Sequence, residues 1–426
     1  MNSKFLLFLV LIYSFTIQFV VRQFDLKIPS DIISISLPFF GLMLAAIRSS
    51  NQDWPALKSD LCYIILGWFV FCILEVFNPE GASFDGWVRE IVPVALIPFL
   101  IVSLSLLAIN NKKDLNIFLI IVVGFSTLAA LYGVKQLHIG LSQGDARFLE
   151  EGGAITHLLW GRLRVFSMYS EAAQFGSSQA HISLLTLILV FGPFNKKIKV
   201  LLLGCSALMF YGMMISGTRG AFFALIIGAF VAIVLSKRFK VLIVCGILAV
   251  GFICFLKFTY IGNGNYNIYR FRSALNPDDP SLQVRLVSQK ILGEYMSSRP
   301  FGGGLGVIGY YGTKYNADSF LSTIQPDSYW VKIWAMTGII GFTIWFSGML
   351  YILGKCCGIV WRIEDEGLRV KGIAITSGIA GILFCSYGNE IINTMPSSVV
   401  IYMSWVFIYK MPGWDKEIKE EKLLTV

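Results

Sequence analysis

Four short constellations in this 426-residue chain bring together residue types that could hold and transfer an anionic group. Ser216-Gly217-Thr218-Arg219-Gly220 places an arginine at the opening of an apolar run, where small residues let the chain reverse tightly. An ionisable side chain at membrane depth is costly, which makes Arg219 a functional candidate. The plainer alternative is an interfacial arginine that snorkels to water. Arg162-Leu163-Arg164-Val165-Phe166-Ser167, followed by Glu171 to Gly176, sets two arginines and several small polar residues ahead of another run. The exposed N–H groups of a helix starting there would add to an anion site. Arg164 is the better candidate of the two, since Arg162 suits a loop surface.

The third constellation is Ser281-Leu282-Gln283-Val284-Arg285-Leu286. At helical spacing Leu282, Leu286 and Gln289 share a face with Arg285 beside it, so Arg285 either points toward a membrane site or lies on a solvated helix face. The fourth is Pro326-Asp327-Ser328-Tyr329-Trp330-Val331-Lys332, running into Thr337-Gly338-Ile339-Ile340-Gly341. Asp327 could cap the helix that follows. It could also be a general base, because a carboxylate at a desolvated interface is pushed toward higher pKa. Gly338 and Gly341 would permit close helix packing. Glu75, Asn389 and Glu390 fall near helix ends on the same side, where they would pair with the arginines or bind a sugar hydroxyl; Glu390 is the deepest of them.

The elements that must position these residues follow from composition. Hydrophobic residues make up 56% of the chain and charged ones 14%, with a mean hydropathy of +0.69. Soluble domains carry about a quarter charged residues, so this chain must be solvated by lipid. A soluble enzyme, a nucleic-acid binder and a disordered protein are thereby excluded. Runs of roughly 17–25 apolar residues fall at 4–21, 30–47, 61–77, 92–109, 115–136, 172–194, 200–216, 219–235, 241–258, 329–354, 372–388 and 396–410. The expected architecture is therefore an all-α polytopic membrane protein of about twelve transmembrane helices. One long outer-face loop, 259–328, lies between the ninth and tenth. The whole chain, 1–426, reads as one transmembrane domain with that loop as an inserted lid, since a loop of such length is usually functional. It carries turn chemistry at Asn276–Pro280, a helical stretch from Leu282 to Met296 and a Gly-rich turn at Pro300–Gly306. The first run has one Lys before it and no small-residue cleavage site, so it reads as a retained span. No internal repeat is visible, and the long loop breaks any six-plus-six symmetry of the transporter kind.

Orientation follows from Lys and Arg in the short loops, which place both termini in the cytoplasm. The net charge of +9 then separates by side and by residue type. Inside segments hold 19 Lys and Arg, only four of them Arg (Arg48, Arg238, Arg362, Arg369). Outside segments hold 13, ten of them Arg: Arg22, Arg89, Arg147, Arg162, Arg164, Arg219, Arg270, Arg272, Arg285 and Arg299. Topology needs positive charge of either kind, whereas planar bidentate recognition of phosphate favours Arg. An anionic ligand at the outer face is one explanation; salt bridges and lipid headgroups are the other. The eight cysteines sit in or beside apolar runs without Cys-x-x-Cys or Cys/His spacing, and three scattered histidines add no metal pattern. No metal or cofactor is expected.

The combination of Ser216-Gly217-Thr218-Arg219-Gly220, the turn Pro300-Phe301-Gly302-Gly303-Gly304-Leu305-Gly306 and the following Asp327-Ser328-Tyr329 and Thr337-Gly338-Ile339-Ile340-Gly341 resembles the O-antigen ligase/polymerase family. The resemblance is strongest over about 160–345 and includes Arg164-Val165-Phe166-Ser167; the first 140 residues match only in hydropathy. It implies a bacterial inner-membrane glycosyltransferase working at the periplasmic face on an undecaprenyl-diphosphate-linked glycan, without nucleotide sugar. Carried over by residue, Arg164, Arg219 and Arg285 would bind the diphosphate, with Arg285 assisting from the lid and Asp327 activating the acceptor hydroxyl. Glu390 would join the substrate-binding set. Ligases of the family commonly have a His where the loop re-enters the membrane. Asp327 holds that place here, which favours a polymerase over a ligase acting on lipid A core or protein. A flippase or transporter for lipid-linked glycan is the rival from another class. A chain-length regulator is an expected partner by pathway logic.

Overall fold

The computed structural model describes residues 2–48, 53–159, 161–237 and 280–424, with scattered positions between 251 and 278. The helices are α1 (Ser3–Phe24), α2 (Ser30–Ile47), α3 (Asp60–Leu74), α4 (Phe84–Ile91), α5 (Ile97–Ala108), α6 (Lys112–His138), α7 (Gln143–Phe148) and α8 (Ala154–His157). They continue with α9 (Ala172–Leu189), α10 (Lys196–Ile215), α11 (Arg219–Leu235), α12 (Pro280–Met296), α13 (Gly309–Tyr315), α14 (Tyr329–Arg362), α15 (Glu366–Cys385) and α16 (Ser397–Leu424). A two-residue antiparallel pairing of Leu158–Leu159 with Arg162–Leu163 is the one strand pair among the described residues.

The apolar runs become helices because in lipid every backbone N–H and C=O must be satisfied within the segment. Their ends are set by ordinary caps. Asn2 accepts from Lys4 N ahead of α1, Asn111 and Asp114 form a reciprocal box at α6, and Asp365 accepts from Leu368 N at α15. Among the described residues, eight helical stretches are long and apolar enough to cross a membrane, and Arg219–Leu235 is a shorter apolar helix. The run expected at 241–258 lies mostly outside the described residues, as does much of the first part of the loop beginning at 259. The runs at 172–194 and 396–410 do form helices, α9 and α16, but neither is among those eight. α9 carries Gln174, Ser177, Ser178, Gln179, His181, Ser183 and Thr186 and is buried almost all round, so protein rather than lipid surrounds it.

Burial sorts the helices into a centre and a rim. α5 and α15 have most of their residues buried, whereas α2 leaves Ile32, Phe39, Phe40 and Ile47 more than half exposed. Large apolar side chains exposed in that number mark a face that lipid covers. α9, α11 and α15 pack closely at the centre. Gly381 abuts the Ala224 backbone, and Gly228 lets Ser377 O approach to where a Cβ would lie at 2.8 Å.

α14 bends at Gly338, where φ is +65°. The bend interrupts the helical ladder, and the Gly-rich turn restores it: Gly303 N donates to Ala335 O and Gly304 N to Met336 O, both at 2.9 Å, while Ile340 N donates to Pro300 O at 3.2 Å. Gly338 therefore serves a loop-to-helix approach, with its Cα against Pro300, rather than the helix packing expected of it. Gly341 does face a helix, with Phe71 on α3 nearby. The end of the long loop is thus stitched into the middle of α14.

Candidate functional site

The starts of α9, α11, α14 and α16 and the turn 386–396 meet at one end of the bundle. Thr218 Oγ1 donates to Ala172 O at 3.0 Å, joining the start of α11 to that of α9. Gln174 Nε2 donates to Met395 O at 2.6 Å, joining α9 to the residues before α16. Tyr329 N donates to Ser386 O at 2.9 Å and Trp330 Nε1 to Leu383 O at 3.1 Å, so α14 begins on carbonyls that the end of α15 leaves open. Gly220 packs against the Asn389 amide, a contact that a side chain would block. Four helix N-termini thus lie around one turn, and their dipoles make that end favourable for negative charge.

Arg164 follows the short hairpin. Its N–H donates to His157 O at 2.7 Å and its Nη1 to Thr156 O at 3.1 Å, which fixes the side chain beside Glu171. Glu171 is open to the outside but lies in a recess. The surrounding protein pushes its carboxyl above the ordinary range, Arg164 pulls it down, and Asp327 pushes it further up. Arg219, the first residue of α11, donates from Nη1 to Ser273 Oγ at 3.2 Å. Arg285, on α12, bonds through Nε to Asp327 Oδ2 at 3.0 Å. α12 is also held by Tyr387, whose hydroxyl reaches Gln289 Oε1 at 3.4 Å. Asp327 is not the cap of α14: Ser328 takes that position and accepts from Val331 N at 3.3 Å, leaving the Asp327 carboxylate to Arg285.

Glu390 pairs with a lysine rather than with an arginine. Lys332 Nζ lies 3.1 Å from Glu390 Oε2 and 2.9 Å from Glu90 Oε1, so one ammonium sits between two carboxylates. Burial pushes the Glu390 carboxyl up; Lys332 opposes this, while Glu90 and Glu171 add to it. Lys332 and Glu90 were not singled out from the sequence. The available signal was an ionisable residue within an apolar stretch, true of Lys332 one turn into α14 and of Glu90 at the end of α4. Glu75 lies elsewhere, accepting from Asn78 Nδ2 at 2.7 Å, and Asn78 in turn donates to Phe301 O at 2.9 Å. It braces the Gly-rich turn.

Six of the ten arginines assigned to the outer side fall into two groups. Arg22 is buried against Asp145 at 2.9 Å, Arg147 donates to Arg22 O at 3.0 Å, and Arg299 pairs with Glu80 at 2.8 Å. These three hold the fold. Arg164, Arg219 and Arg285 instead stand on the elements that gather around the turn 386–396, with Glu171, Asp327 and Glu390 among them. Arg270 lies outside the described residues. Three guanidinium groups, one of them at a helix N-terminus, can receive a diphosphate, and the carboxylates beside them can take a proton or a hydroxyl hydrogen bond.

No curated protein matches this chain. A family model described as O-Antigen ligase matches residues 204–346, a segment that contains Arg219, Arg285, Asp327 and Lys332. That segment is similar to the O-antigen ligase family, within a chain that has eight helical stretches long and apolar enough to cross a membrane among its described residues.

Proposed function

We propose that the protein polymerises undecaprenyl-diphosphate-linked oligosaccharide repeat units at the periplasmic face of the bacterial inner membrane, with both termini in the cytoplasm. About twelve spans would cross the bilayer, and residues 259–328 would form a lid over the site. The observation that supports this reading is that Arg285 pairs with Asp327 just ahead of α14, that Glu171 lies within electrostatic reach of both Arg164 and Asp327, and that Arg219 opens α11 beside the turn 386–396. A transporter would need such charges along a path through the bundle.

Transfer breaks the bond between the donor's anomeric carbon and the diphosphate oxygen, and the electron pair leaves with the diphosphate. Charge develops on that leaving group, and guanidinium groups already in place stabilise it most where water is scarce. Arg164, from the segment ahead of α9, and Arg219, from the start of α11, would hold the diphosphate. Arg285 would reach it from α12, exchanging its bond to Asp327 for the stronger charge of the donor. Asp327 keeps Arg285 oriented until then. Glu390 lies on the side where a sugar acceptor would present its hydroxyls.

The experiment is glycan laddering in a deletion strain complemented with Arg219→Ala, Arg285→Ala or Asp327→Ala. Shortened or absent ladders are expected for each, and undiminished chain lengths in all three would refute the reading. Purified protein given the lipid-linked oligosaccharide alone should lengthen it. Transfer only after addition of a lipid A core or protein acceptor would identify a ligase.

A further inference from the structure

We propose that Glu390, held by Lys332 against Glu90, is the general base that deprotonates the acceptor hydroxyl. This rests on the glycosyl-transfer reading above and assigns the one role in that reaction which the arginines cannot take.

Three carboxylates border the arginines: Glu171 lies against Arg164, and the other two, Asp327 and Glu390, differ in their surroundings. Asp327 is spent on Arg285: its Oδ2 accepts from the guanidinium Nε at 3.0 Å, and its side chain is 59% exposed to water. An acceptor hydroxyl would have to compete with that guanidinium for the carboxylate. Glu390 shares its only cation among the described residues, Lys332, with Glu90. Glu90 is 1% exposed and belongs to the interior, whereas the Glu390 side chain, in the turn 386–396, keeps 28% exposure. Glu90 is thus the fixed counter-ion of Lys332, and Glu390 is the member of the triad that a substrate can reach.

Charge balance gives the direction of proton flow. With both carboxylates ionised, the triad carries one net negative charge in a poorly hydrated place, which is costly. Glu171, also within electrostatic reach of Glu390, adds to that excess. A proton accepted by Glu390 removes it and leaves Glu90 and Lys332 as a neutral pair. The surroundings therefore favour the protonated product of the base reaction, as the raised carboxyl of Glu390 reflects.

In the step itself, Glu390 takes the proton of the acceptor O–H while that oxygen forms a bond to the donor's anomeric carbon. The carbon–oxygen bond to the diphosphate breaks, and its electron pair goes to the leaving group beside the arginines. The proton on Glu390 returns to water after the product leaves. No further reactant is required. The turn 386–396 places the base next to the leaving-group site, because Asn389 packs on Gly220, the residue after Arg219.

The test uses the full-length purified protein with lipid-linked oligosaccharide, with and without sodium azide. Azide attacks the anomeric carbon without losing a proton, so it bypasses a base. Glu390→Gln should lower elongation by about 10²- to 10⁴-fold while glycosyl azide forms within a few-fold of the wild-type rate. Formation of that product also shows that the variant is folded and binds donor. Loss of both products would mean that Glu390 holds the structure instead, and elongation at the wild-type rate would mean it has no role; either overturns the assignment. The same split in Asp327→Asn but not in Glu390→Gln would move the base to Asp327. Wild-type protein that makes neither product would refute the glycosyl-transfer reading itself.

Discussion

Arg285 Nε lies 3.0 Å from Asp327 Oδ2, joining α12 within the long loop to the residue before the cap of α14, and both side chains remain open, at 38% and 59% exposure. An ion pair so placed contributes about 0–1 kcal/mol to stability. Its geometry suits a contact that opens when a stronger anion arrives.

Arg285→Ala and Asp327→Ala should therefore leave the unfolding temperature in detergent almost unchanged while abolishing or strongly reducing elongation. Arg285→Lys keeps the charge but loses the planar fork that grips two phosphate oxygens. It should recover only a small part of the activity. Arginine and lysine performing equally well would show that only net charge matters at this position.

Lys332 should behave in the opposite way, as a residue of the fold first. Its ammonium lies between Glu90 and Glu390, with side-chain exposures of 11%, 1% and 28% respectively. Removing one partner of a buried ion pair costs about 3–5 kcal/mol, because the remaining charge is left uncompensated. Lys332→Met should lower the unfolding temperature markedly. Adding Glu90→Gln should restore much of the loss by removing the stranded charge. A double variant no more stable than the single one would show that packing, not charge, sets the cost.

Gly338→Ala tests the stitch between the Gly-rich turn and α14. At φ +65° a side chain is strained by about 1–3 kcal/mol. The added carbon would also strike the Pro300 carbonyl. The variant should free the 300–304 turn, measured as faster amide exchange at Gly303 and Gly304. Unchanged protection there would mean that the bend does not depend on the glycine.

The sequence made the helices legible because lipid imposes a long apolar run on each, and the ends of α2 and α11 fall at the expected limits. Hydropathy could not separate lipid from protein as the solvent of a helix, which is why α9 looked like an ordinary span. Arg164, Arg219, Arg285 and Asp327 could be selected by type and by nearness to run ends, without any indication of which of them meet. The Arg285–Asp327 contact spans 42 residues and Lys332–Glu90 spans 242, distances at which no periodicity speaks. The cap of α14 was misplaced by one residue for a similar reason. Asp and Ser are both good caps, and a residue far away in sequence, Arg285, claims the Asp.

Asp145 offers a test of how the first part of the chain supports the site. It binds Arg22 at 2.9 Å, and Arg22 in turn donates to Tyr169 O at 2.7 Å and contacts Ser167 O, in the segment that leads from Arg164 to Glu171. Burial alone would raise the Asp145 carboxyl, but Gln136, Tyr132 and Arg22 around it outweigh burial and hold it below the ordinary range. A carboxyl lowered in the folded state stabilises that state fully above its unfolded pKa of about 3.9. The contribution is lost as pH falls through the lower folded value. Wild-type protein should therefore lose stability between about pH 4 and more acid conditions, and Asp145→Asn should show a lower but flatter profile there. Because the same network anchors the Arg164 segment, Asp145→Asn should also weaken donor binding at neutral pH, measured by retention of lipid-linked oligosaccharide. Full retention would show that the segment is held by the packing of Val165 and Phe166 alone.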